Sequence, residues 1–334
     1  MENITEPIMP EGKERRTPTP LAGSTLYLVV LSLMLLTSFL NERINLEGNT
    51  YYLAMFFIQI AAIGLPPILY LIANKIDIRK AVRLNRIRIP EVLLSIGMAF
   101  FGYGVIIFIN LLWVLFLTRF GTPQTQQLPP IETGPHFLMA IIVIAGAPAL
   151  LEEFLFRGVI QRGYERFGRT APILLTGTLF AFLHLSIVSI PAIILMGLLL
   201  CYITYRADSL WAGAVYHFTN NMIAVTITYL SGVISKLFPM EGMSDSLADI
   251  PPETLKMAVA AWGVIGVVAL VLFLACFAGF HRITEGKQEV VPMDTGKTAG
   301  QKLVQLLPAI LAVIIIIVLL VFQTIEMVSP SPVM

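Results

Sequence analysis

Two adjacent carboxylates, Glu152 and Glu153, stand with Arg157 inside the apolar run from Phe137 to Ile160. Two histidines, His184 and His217, occupy later apolar runs, and Asn221 follows His217 by one helical turn. Ionisable side chains at membrane depth are expensive, so a cluster of them points to a functional cavity. A glutamate beside a neutral imidazole in a partly dry cavity can hold a water molecule and take its proton. A histidine and an asparagine amide can donate hydrogen bonds to the oxyanion of a tetrahedral intermediate. Alternatively, Glu152, His184 and His217 could bind a zinc ion, with water in the fourth position. The two-histidine helix motif of soluble zinc proteases is absent, which weakens the metal version without removing it. Both versions hydrolyse a peptide bond.

These groups need rigid elements to bring them together, and the composition says which kind. Of the 334 residues 57% are hydrophobic and 13% are charged, against about 25% charged in a soluble domain. Mean hydropathy is +0.82. The fold class is therefore all-α, a polytopic transmembrane helical bundle enclosing a polar cavity in the membrane. Apolar runs long enough to cross a bilayer fall near 21–40, 52–74, 92–118, 137–161, 171–188, 190–205, 210–232, 257–280 and 304–322. The break at Ser189-Ile190-Pro191 leaves the total at eight or nine spans. At 1.5 Å per residue, Glu152, His184, His217 and Asn221 lie roughly 15, 21, 12 and 18 Å from the same face. Three helices thus deliver them to a similar level. Glu153 and Arg157 are four apart and can pair along one helix face. Phe180 and His184 repeat that spacing, and Gly177 and Gly197 would let helices approach closely.

Loop charge sets the orientation. Lys75, Arg79, Lys80, Arg83, Arg86 and Arg88 lie between the second and third runs, Arg162, Arg166 and Arg169 after the fourth. Arg206 follows the sixth run, and Arg282, Lys287, Lys297 and Lys302 follow the eighth. Alternate loops are poor in cations, and 233–254 carries Glu241, Asp245, Asp249 and Glu253 against Lys236. The positive-inside rule then puts the N-terminus in the cytoplasm, and segment 75–88 is expected to lie on the anionic inner leaflet. The net charge of +1 gives no reason to expect nucleic acid as a partner. Four regions follow: a disordered tail over 1–20, N-terminal helices over 21–134, a catalytic core over 135–232 and C-terminal helices over 233–334.

The order Glu152-Glu153-x-x-x-Arg157, Phe180-x-x-x-His184, His217-x-x-x-Asn221, all on apolar runs, resembles the CPBP family. That family comprises CAAX prenyl proteases and bacteriocin-processing enzymes, also called the Abi family of intramembrane proteases. The resemblance covers about 135–232. It implies an intramembrane endopeptidase acting on a membrane-associated protein or peptide, in a prokaryotic plasma membrane. By that resemblance Glu152 activates the water with His184, His217 and Asn221 hold the oxyanion, and Glu153 and Arg157 form a supporting pair. The metal question stays open at this point.

Plainer readings compete with each residue. Asn220 and Asn110 read as helix packing, Trp113 as part of an interfacial belt, and Cys201 and Cys276 as small core residues. Ser186 and Ser189 lack a suitably placed base, so a serine protease is not expected. A transporter would show matched repeats or broken helices, and none is legible. The closer rival is a non-catalytic membrane scaffold or bacteriocin self-immunity protein of the same fold.

Overall fold

A computed structural model describes residues 17–41, 43, 46, 48–123, 131–238, 252–289, 291 and 293–329, all helix or connecting turn. The tail before residue 17, the acidic Glu241, Asp245 and Asp249, and the chain beyond 329 lie outside the described residues. The helices are α1 (Pro20–Asn41), α2 (Gly48–Ala73), the single turn α3 (Ile78–Ala81), α4 (Ile89–Leu117) and α5 (Gly134–Phe167). They continue with α6 (Ala171–Leu183), α7 (Ile190–Ala207), α8 (Leu210–Leu237), α9 (Pro252–Ile283) and α10 (Ala299–Val328). Every expected apolar run appears as a helix. Seven, α1, α2, α4, α5, α7, α9 and α10, are long and apolar enough to cross a membrane. α8 has the length, with 28 residues, but carries His217, Thr219, Asn220 and Asn221 on its first half.

α6 corrects the expected run over 171–188. It has 13 residues, about 20 Å of rise, short of a hydrocarbon core about 30 Å thick. The helix stops because Leu185 takes the left-handed conformation at φ 49°, a C-terminal stop that glycine usually supplies. Non-helical backbone inside a membrane protein must find partners within the protein. Here Gln323 of α10 donates from Nε2 to the Leu185 carbonyl at 2.7 Å and accepts from the Ile187 amide at 3.3 Å. Trp113 of α4 donates from Nε1 to the Ile187 carbonyl at 2.7 Å. Trp113 thus braces this turn.

α5 is the axis of the bundle. α8 packs along it, α7 lies against α6 and α8, α4 runs against α8 and α9, and α1 lies along α10. Two stretches of α5, Ile141–Gly146 and Phe154–Ile160, have the wider π register, a form frequent at functional sites. The first has a cause in the sequence. Pro148 has no N–H and its ring obstructs the carbonyl four residues before it. The Ala147 amide accordingly reaches back five residues to the Ile142 carbonyl. α2 does the same over Ile60–Gly64, just before Pro66 and Pro67.

The basic segment after α2 is also corrected. Arg79, Lys80 and Arg86 are exposed, but Arg83 is buried. Its guanidinium pairs with Glu165 at the end of α5 and with Asp208 after α7, the latter at 2.8 Å. Burial opposes the charge on Arg83, and the two carboxylates outweigh it and raise the pKa. Val82 beside it seats against Gly158, where a Cβ would come within 2.7 Å of the valine side chain. The segment plugs the end of the bundle.

Candidate active site

Glu152 and Glu153 end the α-helical turn Ala147–Glu153 and adjoin the π stretch that carries Arg157. Glu153 is fully buried, and its Oε1 accepts from Arg157 Nη1 and from His217 Nδ1, both at 2.9 Å. Arg157, equally buried, also reaches the Gly197 carbonyl at 3.3 Å and lies 4.3 Å from the Phe180 ring centroid. A planar guanidinium suits this combination of carboxylate, carbonyl and aromatic face. The expected pairing of Glu153 with Arg157 is therefore present, and His217 completes it.

Glu152 stands differently. Its side chain is 15% exposed, and Oε2 faces His217 Nε2 at 4.0 Å. That oxygen is buried with no hydrogen-bond partner among the described residues. His217 is thus held between two carboxylates, Nδ1 on Glu153 and Nε2 toward Glu152. Because Glu153 accepts, Nδ1 carries a proton, which fixes the imidazole plane.

His184 caps the end of α6, and its Nδ1 lies 2.9 Å from the Phe180 carbonyl. A carbonyl only accepts, so this nitrogen is protonated and Nε2 is left as the free acceptor. The two imidazoles share the Phe180 ring, whose centroid lies 4.8 Å from that of His184 and 5.8 Å from that of His217. Phe180 entered the sequence argument as a spacing partner; in the fold it is the apolar wall common to Arg157 and both histidines.

Asn221 is turned elsewhere. Its Nδ2 donates to the Ile144 carbonyl at 3.1 Å, four residues before Pro148, where the proline offers no amide. Gln59 of α2 donates to the neighbouring Val143 carbonyl at 3.0 Å. Val143 has lost Ala147 to the π register and finds Pro148 one residue further on. The two side-chain amides therefore serve carbonyls freed by one proline. Gln59 had no signal in the sequence beyond being polar in an apolar run.

Close backbone approach makes room for all this. A Cβ on Gly197 would come within 2.5 Å of the Gly177 carbonyl, so α6 and α7 touch where both residues are glycine, as expected for small residues at a membrane helix crossing. A Cβ on Gly213 would meet Glu153 Oε2 at 2.6 Å. Among the described residues no three His, Cys, Asp or Glu side chains are grouped to hold a metal ion. Glu153 and the Phe180 carbonyl each take the Nδ1 of one imidazole, which leaves the two Nε2 atoms and Glu152 as the groups that could hold a metal ion.

Residues 134–223 match the model of a family described as Rce1-like, type II CAAX prenyl endopeptidase. The matched segment is similar to that family over 90 of the chain's 334 residues, 134 to 223 inclusive. It spans α5, α6, α7 and the first half of α8, and contains Glu152, Glu153, Arg157, His184, His217 and Asn221. No curated protein and no solved structure matches the chain. The chain is a polytopic helical bundle, with seven helices long and apolar enough to cross a membrane among the described residues, and its central segment is similar to type II CAAX endopeptidases.

Proposed function

We propose that this protein is an intramembrane endopeptidase that cleaves a CAAX-type or similar membrane-tethered peptide, with Glu152 as the general base. The observation that carries the reading is the inequality of two neighbouring carboxylates. Glu153 is fully buried and pairs through Oε1 with both Arg157 and His217, whereas Glu152 is 15% exposed and meets only an imidazole, at 4.0 Å.

The chemistry follows from the acceptors. Glu152 and His184 Nε2 each offer a lone pair, so a water held between them points both hydrogens inward and its oxygen toward a substrate carbonyl. Attack joins the water oxygen to the acyl carbon while Glu152 takes one proton. The tetrahedral oxyanion is met by donors on the α8 side, from the second N–H of Asn221 and from His217, whose Nε2 takes a proton from solvent before the attack and keeps it throughout. Collapse breaks the C–N bond, and the proton held by Glu152 goes to the leaving nitrogen. Glu153 acts on none of the reacting atoms and instead keeps His217 in place.

The test uses the full chain in micelles with an internally quenched prenylated CAAX peptide. Glu152→Gln should lower the cleavage rate by about 10²–10⁴-fold at unchanged membrane abundance. Cleavage at the wild-type rate by Glu152→Gln overturns the assignment of Glu152, and no cleavage by wild type overturns the peptidase reading and favours a scaffold or immunity role.

A further inference from the structure

Two residues that read singly as packing, Asn110 of α4 and Asn220 of α8, line the same cavity. It has a volume of about 270 Å³ and lies between α4, α7 and α8. Its remaining wall is largely aliphatic, including Ile107, Leu111, Ile193 and Met196. Asn220 is 9% exposed, and both its Oδ1 and that of Asn110 are buried without a hydrogen-bond partner among the described residues. Leaving an amide oxygen unpaired in an apolar wall is unfavourable unless something else fills the bond.

The cavity borders the site described above. Asn220 Nδ2 donates to Asn221 Oδ1 at 3.3 Å. Met196 precedes Gly197, whose carbonyl receives Arg157. Ser189, also on the wall, closes the turn that begins at His184. An occupant here would therefore lie against residues next in sequence to Asn221 and Gly197.

The chemistry of the lining selects the occupant. No charged side chain lines the cavity, so an ionic ligand would lack a counter-charge. A hydrocarbon tail would leave both amides unsatisfied. A peptide bond offers one N–H and one C=O, and a side-chain amide complements either. The volume suits a short extended segment and falls below that of a typical small-molecule pocket.

Resting on the peptidase reading, we infer that this cavity holds a stretch of substrate adjoining the scissile bond, and that Asn110 and Asn220 grip its backbone. Both are positioning residues outside the reacting atoms. Asn110 lies outside the Rce1-like segment, so α4 would supply part of the substrate grip from beyond that domain. Such a grip acts equally on bound substrate and transition state, so its loss appears in KM.

The experiment is an N-methyl scan of the same quenched peptide, which deletes one backbone N–H at a time. It is run on wild type, Asn110→Leu and Asn220→Leu, each checked for membrane abundance and melting temperature. In wild type, one N-methyl position should lower kcat/KM about five- to tenfold, mainly through KM. In at least one of the two variants that same position should cost no more than about twofold, because the partner is already gone. Identical scan profiles in all three proteins overturn the inference, whichever variant folds best. If wild type cleaves nothing, the peptidase reading fails by itself, and binding of a fluorescent form of the peptide decides the inference. Weaker binding to Asn110→Leu keeps the backbone grip, and equal binding to all three proteins removes it.

Discussion

Glu153 shares its Oε1 between Arg157 and His217, both at 2.9 Å, while Glu152 one residue earlier is partly exposed and meets the same imidazole only at 4.0 Å. Neutralising each should therefore have unequal effects on stability. Glu153→Gln leaves Arg157 charged, buried and without its carboxylate, and breaking such a pair costs about 3–5 kcal/mol. Glu152→Gln removes no partner from any group and should stay within about 1 kcal/mol of wild type. Thermal melting in micelles reads the difference: a large drop for Glu153→Gln, little for Glu152→Gln, with activity lost in both. Equal melting temperatures would mean that the two carboxylates are not divided in this way. The candidate residues themselves were legible, because ionisable side chains stand out against apolar runs and their order resembles a known family. Which task each performs was not. Nothing in the spacing said that the Asn221 amide would meet a carbonyl freed by Pro148, or that the Phe180 ring would divide the two histidines.

At the level of elements, hydrophobic runs located the helices but not their registers. A π stretch adds one residue to a turn, and in a helix that is apolar all round no periodicity reveals it. The end of α6 was likewise hidden, since Leu185 in a left-handed conformation has no composition signal and its partners Trp113 and Gln323 are distant in sequence. The proline in α5 gives a test of the π account. Gln59→Leu strips the Val143 carbonyl of its donor and should cost about 1–3 kcal/mol. With Pro148→Ala the regular register becomes available, Ala147 can serve Val143, and Gln59 is no longer needed. The second substitution should then reduce the cost of the first, a coupling of about 0.5–3 kcal/mol. A double-mutant cycle on melting temperature measures it. Strict additivity would show that Gln59 and Pro148 act independently and that the π stretch has another origin.

Across the whole molecule, the loops after α2, α5, α7 and α9 meet at one end of the bundle. Arg83 joins Glu165 and Asp208, Arg162 joins Glu165 at 3.0 Å and Glu289 at 2.6 Å, and Arg166 lies 3.7 Å from Asp294. Asp294 has its pKa lowered by the Lys297 hydrogen bond first and by the nearby Arg166 charge. Its contribution is present above the usual carboxylate range and fades as pH falls through the lowered value. The opposite end is closed by different contacts, with the Thr122 amide on the Met327 carbonyl at 3.0 Å. Counting cations along the sequence assigned these loops to one side but mistook Arg83 for a lipid contact, because its two carboxylates follow it by many residues in other loops. The exposed cations left over, Arg79, Lys80 and Arg86 among them, still give this end a positive excess, and by the positive-inside rule we expect it to face the cytoplasm. Labelling decides it. In a Cys201→Ser, Cys276→Ser background, a cysteine at Arg86 or Glu285 should react with an impermeant maleimide only after the membrane is opened. A cysteine at Arg119 or Lys256 should react in intact cells. The reverse pattern would invert the molecule and place the mouth of the ion-pair network, with the loops that plug α5, on the outer face.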